Sequence, residues 1–561
     1  MSTLLEQASL VLIPSGYKED VVYSQIPTNG SGDLSFTRAS NGTRVNSAGL
    51  VEVVAWNLMQ YSNTFSNGVW VTGGYGNLPT LTANSIANPV NGLTDAWTAS
   101  FAAAGTQGRL LQLFTGLPIG VPYTFSMYIK AGTKTSVAIY SDTATVGLNA
   151  IFNLSNGTIS STSGTTATIT AMTNGWYYVT ITNNILSSGN GQYGIVTNTG
   201  EDGTLYIYGA QLNIGSTAKP YFPTTDRLNV PRLTYQNGGG GCPSLLLEKQ
   251  STNLLTYSED FNSWLNAGGT VTTNTAISPD GTQNADTLTG ARYQSGLGTG
   301  VFTFSCYAKK VDGNNKFNLR FDVVGSDIST FDLNLGVIDS VASGYTATIT
   351  NVGNGWYRCT MTSNASIIIA NVVIVSANGG SNSTYVWGAQ LEASSYATSY
   401  ISTTSASATR VADACFNTSA TALIGQTEGT ILLDCEILTT DTQDLLSIRP
   451  GGTSSLAIGT ASNLILGYVI EGATVISMSF ANYAINTRYK IALAYKNGEC
   501  ALYVNGTQSD IDTTAFTFST ALSSLYLGQS QYFGKSSYEN NEVVLFKTRL
   551  TNAELASLTT I

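Results

Sequence analysis

"NGWYYVTI" at positions 174–181 and "NGWYRCTM" at 354–361 are two writings of one strand. Each opens on Asn-Gly, the dipeptide of tight hairpin turns, and continues as alternating β-branched and aromatic residues. Alternation places Tyr177, Val179 and Ile181 on one face and Trp176, Tyr178 and Thr180 on the other. In the second copy the faces are Tyr357, Cys359 and Met361 against Trp356, Arg358 and Thr360. The consistently apolar set is the expected core face, and the Trp lies opposite it, just after the turn.

The repeat extends in both directions. "NLMQYSNTF" (57–65) matches "NLLTYSEDF" (253–261), "YTFSMYIKAG" (123–132) matches "FTFSCYAKKV" (302–311), "FNLSNGTI" (152–159) matches "FDLNLGVI" (331–338), and "LYIYGAQL" (205–212) matches "TYVWGAQL" (384–391). A duplicated unit of short alternating strands between Gly, Asn and Ser clusters, without helical period, reads as two tandem jelly-roll sandwiches. The first copy is longer in its early loops, a region that contains Trp97. The expected organisation is all-β. An N-terminal attachment or framework segment covers 1–56, jelly-roll module 1 covers 57–225, and a framework linker covers 226–252. Module 2 covers 253–402, and a third sandwich covers 403–561. In the third, "YKNGE" signals a hairpin and Thr551 is placed to cap a short helix. Module 1 reads as an insertion into a framework made of 1–56 and 226–252.

Composition narrows the function. Across 561 residues, 42% are hydrophobic and only 10% charged, so the chain folds but draws its solubility from hydroxyls, amides and backbone. A net charge of −10 without a basic cluster argues against nucleic-acid binding. With no histidine, His-dependent nucleophile systems and His-ligated zinc are excluded. Six cysteines without a Cys-x-x-Cys pair read as buried free thiols. The N-terminal stretch is not a signal peptide, and no stretch has the length of a membrane span, so membrane insertion is not expected.

"FTRASNGTRVNSAGLVE", "NVPRL", "CPSLLLEKQSTNLLTYSEDF", "NGWYR" and "GAQLEASSYATSYISTT" together resemble the virion surface proteins of tailed phages, which carry jelly rolls similar to carbohydrate-binding modules. The C-terminal stretches "YKIALAYKNGECALYVNG", "LYLG" and "LTNAEL" resemble laminin-G and concanavalin-like sandwiches. The resemblance implies a head fibre, tail fibre or other appendage on the virion surface, with other virion proteins and host-surface glycans as partners.

The candidate glycan contacts are aromatic, because a ring presents an apolar face to a sugar while its polar tip hydrogen-bonds. If Tyr128, Trp176 and Tyr208 share a sheet face they form a platform, and Tyr307, Trp356 and Trp387 form its counterpart. The alternative is that these rings fill the fold or a subunit interface. Trp97 and Tyr193, present in one copy only, are candidate specificity residues. Among carboxylates, Glu259 and Asp260 have no counterpart in the first copy, and Asp434 and Glu436 share a strand face without an evident partner, so no enzymatic activity is expected. A purely architectural role and a polysaccharide depolymerase are the alternatives. No cofactor is implied; a structural Ca²⁺ under jelly-roll loops is compatible with the Asp and Asn content. Weak individual sites imply a homo-oligomer, a trimer or a dimer.

Overall fold

The computed structural model describes residues 2–561 except 103–104, 116, 118–120, 143–146, 185–189, 199, 237–238, 312, 314, 324–325, 377–381, 451–453 and 530–533. The chain is 53% strand and 3% helix, arranged as β-sandwiches. It divides into two compact units, residues 55–228 and residues 1–54 with 229–561.

The Asn-Gly pairs of the repeat form the turns that their chemistry predicts. Asn174 and Gly175 have φ of 56° and 76°, and Asn354 and Gly355 have 53° and 77°. Asn and Gly enter this left-handed region at least cost. Each turn feeds its octet into the second position of a six-stranded sheet. In unit 55–228 the order is Thr166–Ala171, Trp176–Asn184, Pro122–Ala131, Gly203–Ile214, Ala96–Phe101, Thr80–Ile86. The facing sheet has five strands, from Thr158–Ser163 at one edge to Arg109–Phe114 at the other. Phe125, Met127, Ile129, Val179, Ile181 and Ile207 are fully buried between the sheets, as the alternation requires. Module 2 repeats the order as Tyr345–Asn351, Trp356–Ser363, Thr303–Lys310, Ser383–Glu392, Ala285–Thr289, Thr270–Ala276.

A second shared signature explains the "NL" that begins each copy. The Asn57 amide donates to the carbonyls of Ala210 and Phe222 at 3.1 and 2.9 Å, and its oxygen accepts from the amides of Met59 and Leu212 at 3.0 and 3.2 Å. Asn253 does the same with Ala389, Ile401, Leu255 and Leu391 at 3.1, 2.9, 3.2 and 3.1 Å. Each buried amide thus uses both ends to fasten the incoming chain to the sandwich it starts.

The third sandwich is assembled from distant segments. Leu10–Leu12 and Ser244–Leu247 both pair with Tyr538–Phe546, so "CPSLLLE" docks as a strand. Tyr17–Lys18, Val21–Val22 and Leu34–Thr37 lead into Ala414–Asn417 in the opposite, nine-stranded sheet. Four of the six strands of the N-terminal segment and two strands of the linker therefore belong to the C-terminal sandwich, with Leu10, Phe36, Leu245 and Leu433 in one core. The closing helix, Asn552–Leu558, has the Thr551 cap and a reciprocal Glu554 bond.

One buried ion network ties these segments together. Asp413 accepts from Arg38 at 2.9 Å, from Arg232, and from the Glu248 amide at 2.8 Å. Glu248 accepts from Arg232 and Arg410 at 2.6 and 2.7 Å. All five side chains are buried. Burial opposes the Glu248 carboxylate, but Arg410 and Arg232 outweigh it and hold its pKa down to about 2. "FTRAS", "NVPRL", "SLLLE" and "TRVAD" converge here, so much of the motif set behind the phage-protein resemblance builds the framework.

Five of the six cysteines are buried free thiols, whereas Cys242 is exposed, against the expectation for it. It falls in a connection beside the glycine run rather than in a strand.

Candidate functional site

The outer face of the module 1 sheet carries a cluster of aromatic rings. Tyr128 lies opposite Tyr178 on one neighbouring strand and opposite Tyr208 on the other. Ring centroids are 4.7 Å apart for Tyr128–Tyr178, 6.0 Å for Tyr128–Tyr208 and 5.7 Å for Tyr208–Tyr221. Trp176 packs with Tyr208 and Ala96 at the edge of the cluster. The sheet thus brings Tyr128, Trp176 and Tyr208 together, but not equally accessible. Trp176 is 2% exposed and Tyr208 6%, whereas Tyr128, Tyr178 and Tyr206 are only half-buried. Burial, with Tyr178 adding to it, pushes the Tyr128 phenol up to about 12, so this phenol stays a neutral hydrogen-bonding group at neutral pH. Tyr178 is a member that strand alternation placed on this face without singling it out; the partner register is what makes it central.

In module 2 the same positions are taken by Tyr307, Arg358, Trp387 and Tyr400, with Trp356 alongside. Trp387 packs at a tilt against Tyr400, with ring centroids 4.6 Å apart, and meets Tyr307 edge-on at 5.2 Å. Here the face is covered. The hairpin of Gly42–Val45 and Val51–Val54 lies over it, with Val51 packed on the aromatic cluster. The Val51 amide bonds the Pro279 carbonyl at 2.9 Å, and the Thr43 hydroxyl bonds the Tyr400 carbonyl at 2.6 Å. Tyr307 is 4% exposed where its counterpart Tyr128 is half-buried, whereas Trp356 and Trp387, at 1% each, are buried much as Trp176 and Tyr208 are; the Trp356 indole donates to the Ile277 carbonyl at 3.0 Å. The reading of the repeated Trp as structural describes its surroundings in both copies.

Trp97 is not a loop residue. It lies in the strand Ala96–Phe101 and points into the module 1 core, where it meets Phe65 edge-on at 6.1 Å and donates to the Asn63 carbonyl at 2.9 Å. Module 2 places Asp286 at the corresponding strand position, where its carboxylate accepts from the Phe261 and Asn274 amides. Tyr193 is likewise fully buried in the core, beside Phe114 and Phe125. Neither ring faces solvent, so the difference between the copies at these positions is one of core packing.

The carboxylates also find partners that local sequence does not reveal. Asp434 is bound by Arg488 through two bonds of 2.7 and 2.5 Å. Glu436 stands directly across the strand pair from Glu539, whose pKa burial and the Glu436 charge push up to about 8. Glu259 accepts from the Tyr400 and Ser402 hydroxyls at 2.8 and 3.0 Å, and burial followed by the Asp280 charge raises it to about 7. Among the described residues, no group of three or more Asp, Glu, Cys or His is placed to hold a metal ion.

A cleft of about 190 Å³ opens beside the covered face of module 2, bounded by the Gly42–Val54 hairpin, the module 2 sheet and the C-terminal sandwich. Arg44, Tyr307, Thr350, Arg358, Thr398 and Glu539 are among its walls.

No protein-family model matches the chain, and no curated protein matches it. Similar solved structures include the CBM40 domain of a Ruminococcus gnavus IT-sialidase bound to α2,3-sialyllactose, with 19% identity and TM-score 0.21 over 24% of this chain and 84% of that one. Domain 4 of AbnA, an extracellular GH43 arabinanase from Geobacillus stearothermophilus in complex with arabinotriose, has 16% identity and TM-score 0.24 over 29% of this chain and 81% of that one. A heptameric SAP-like pentraxin from Limulus polyphemus has 14% identity and TM-score 0.20 over 23% of this chain and 68% of that one. At such scores the fold rests on the strand order and burial above.

Proposed function

We propose that this chain is a structural and adhesive component of a phage virion, a fibre or other surface appendage, whose β-sandwich modules contact host-surface glycans. The observation that carries the glycan reading is the half-buried tyrosine face of module 1, where Tyr128, Tyr178 and Tyr206 each stay partly exposed on one sheet. Tyrosines lined up on one sheet supply the apolar ring face and polar tip that a sugar uses. The virion assignment draws on the phage-protein motifs in the sequence. A shallow face of this kind binds weakly, so adhesion rests on several copies in a homo-oligomer, a trimer or dimer, engaging together.

The test is binding of the purified full chain to host polysaccharide and to a glycan array, with immuno-electron microscopy to place the chain on the particle. Glycan retention that Tyr128→Ala and Tyr178→Ala abolish, without shortening of the polysaccharide, is the expected outcome. A purely architectural role is the second reading, favoured by module 2, where the equivalent face is spent on packing under the hairpin. Absence of retention on every host glycan would establish it.

A further inference from the structure

We propose that the cleft beside the covered face of module 2 binds a single sugar ring bearing a carboxylate, and that Arg358 reads the charge. The inference rests on the reading of the modules as glycan-contacting, but concerns a different module and a different ligand chemistry.

The argument starts from the repeat. Tyr128 faces Tyr178 across the strand pair in module 1; Tyr307 faces Arg358 in module 2. One aromatic of the platform has become a guanidinium at the same register position. Arg358 lies over the Tyr307 ring at 5.4 Å and donates to the Ser305 hydroxyl at 3.1 Å. Its Nε–H is buried and has no hydrogen-bond partner among the described residues. A planar guanidinium with an unmatched edge suits a carboxylate, which accepts from it in a charge-assisted bond.

The other charges at the cleft are committed. Arg44 is held by Glu52 at 2.9 Å, by the Tyr17 hydroxyl and by the Leu233 carbonyl. Glu248 is taken up by Arg232, Arg410 and Ser399. Glu539, with its pKa near 8, is mostly protonated at neutral pH and adds a hydrogen-bond donor rather than a repelling charge. The cleft therefore presents, among the described residues, one cation without a carboxylate partner and favours an anion. At about 190 Å³ it is smaller than the ~300–1,000 Å³ of drug-sized sites, and so suits one ring rather than a chain. The Thr350 hydroxyl, across the strand pair from Arg358, lines the same wall. Uronic and sialic acids both supply the carboxylate, and the probes below separate them.

The experiment is isothermal titration of the full chain with glucuronate, N-acetylneuraminate and glucose, on wild type, Arg358→Gln, Thr350→Phe and the exposed control Glu499→Ala. Thr350→Phe fills the cleft without touching the charge, and hydrogen exchange checks that each variant is folded. One of the two acids should bind at least tenfold more tightly than glucose. Arg358→Gln and Thr350→Phe should each weaken it tenfold or more, and Glu499→Ala should leave it unchanged. Equal binding of glucose, no binding of either acid, or insensitivity to both cleft variants overturns the inference. If the array signal depends on Tyr128 and Tyr178 while no acid binds, only the cleft assignment fails. If an acid binds in the cleft while the tyrosine variants leave array binding intact, the module 1 reading fails and the cleft stands.

Discussion

Asp413 is the residue whose removal tests the framework most directly. Its two oxygens accept from Arg38, Arg232 and the Glu248 amide, and it is buried with all of them. Asp413→Ala leaves three buried guanidiniums, those of Arg38, Arg232 and Arg410, facing the single carboxylate of Glu248. Asp413→Asn keeps the shape but turns a donor toward a donor. Breaking a buried ion pair from one side costs about 3–5 kcal/mol, because the partner's charge stays desolvated. Both variants should therefore destabilise the unit of residues 1–54 and 229–561 by about that amount. The assay is hydrogen exchange by mass spectrometry in sub-denaturing urea. A loss of about 3–5 kcal/mol raises the globally exchanging fraction roughly a hundredfold to a few thousandfold. Strands Ser244–Leu247 and Ala414–Asn417 should show that acceleration, while Pro122–Ala131 in the other unit should not. As a control, Glu499→Ala removes an exposed pair with Lys496 at 3.9 Å and should cost under about 1 kcal/mol. A loss below about 1 kcal/mol for Asp413→Ala, or equal acceleration in both units, would refute the claim that this network holds the framework.

Asn57→Ala should destabilise only the 55–228 unit and Asn253→Ala only the other, each by about 2–4 kcal/mol, since both leave buried carbonyls and amides unmatched; urea unfolding followed by region-specific proteolysis reads this out. The acid and base limbs of stability should have separate origins. Glu248, depressed to about 2, contributes stability that is present above its unfolded value of 4.5 and lost as pH falls toward 2. Glu259 and Glu539, raised to about 7 and 8, instead hold protons in the folded state, so their cost grows as pH rises from 4.5 through those values. Glu259→Gln and Glu539→Gln should accordingly raise the melting temperature at pH 8 and leave it unchanged at pH 4; thermal melts at both pH values decide. Trp176→Ala should cost about 3–5 kcal/mol as a packing loss, whereas Tyr178→Ala, half-buried, should weaken glycan retention with a stability change of about 1–2 kcal/mol; melts run beside binding assays separate the two.

What the sequence determines here is local. The Asn-Gly turns, the alternation of Tyr177, Val179 and Ile181 against Trp176 and Tyr178, and the duplicated register are properties of a few adjacent residues, and the strands follow them. The Thr551 helix cap is equally local. The outcome at the outer faces is not. Both copies present an aromatic face, yet one Gly42–Val54 hairpin exists, and it covers the module 2 face. Whether Tyr307 is a platform or a packing residue therefore depends on a segment more than two hundred positions away in the sequence. Trp97 follows the same rule: its region reads as longer early loops, and the pairing of its strand with Gly203–Ile214 is made only across the sheet. The ion network shows the limit most clearly, since Arg38 and Asp413 meet across 375 positions. Alternation decides which way a side chain points, because each strand residue sets its neighbour's direction. What it meets there is decided by tertiary packing, because burying charge and aromatic surface depends on segments that no local pattern can anticipate.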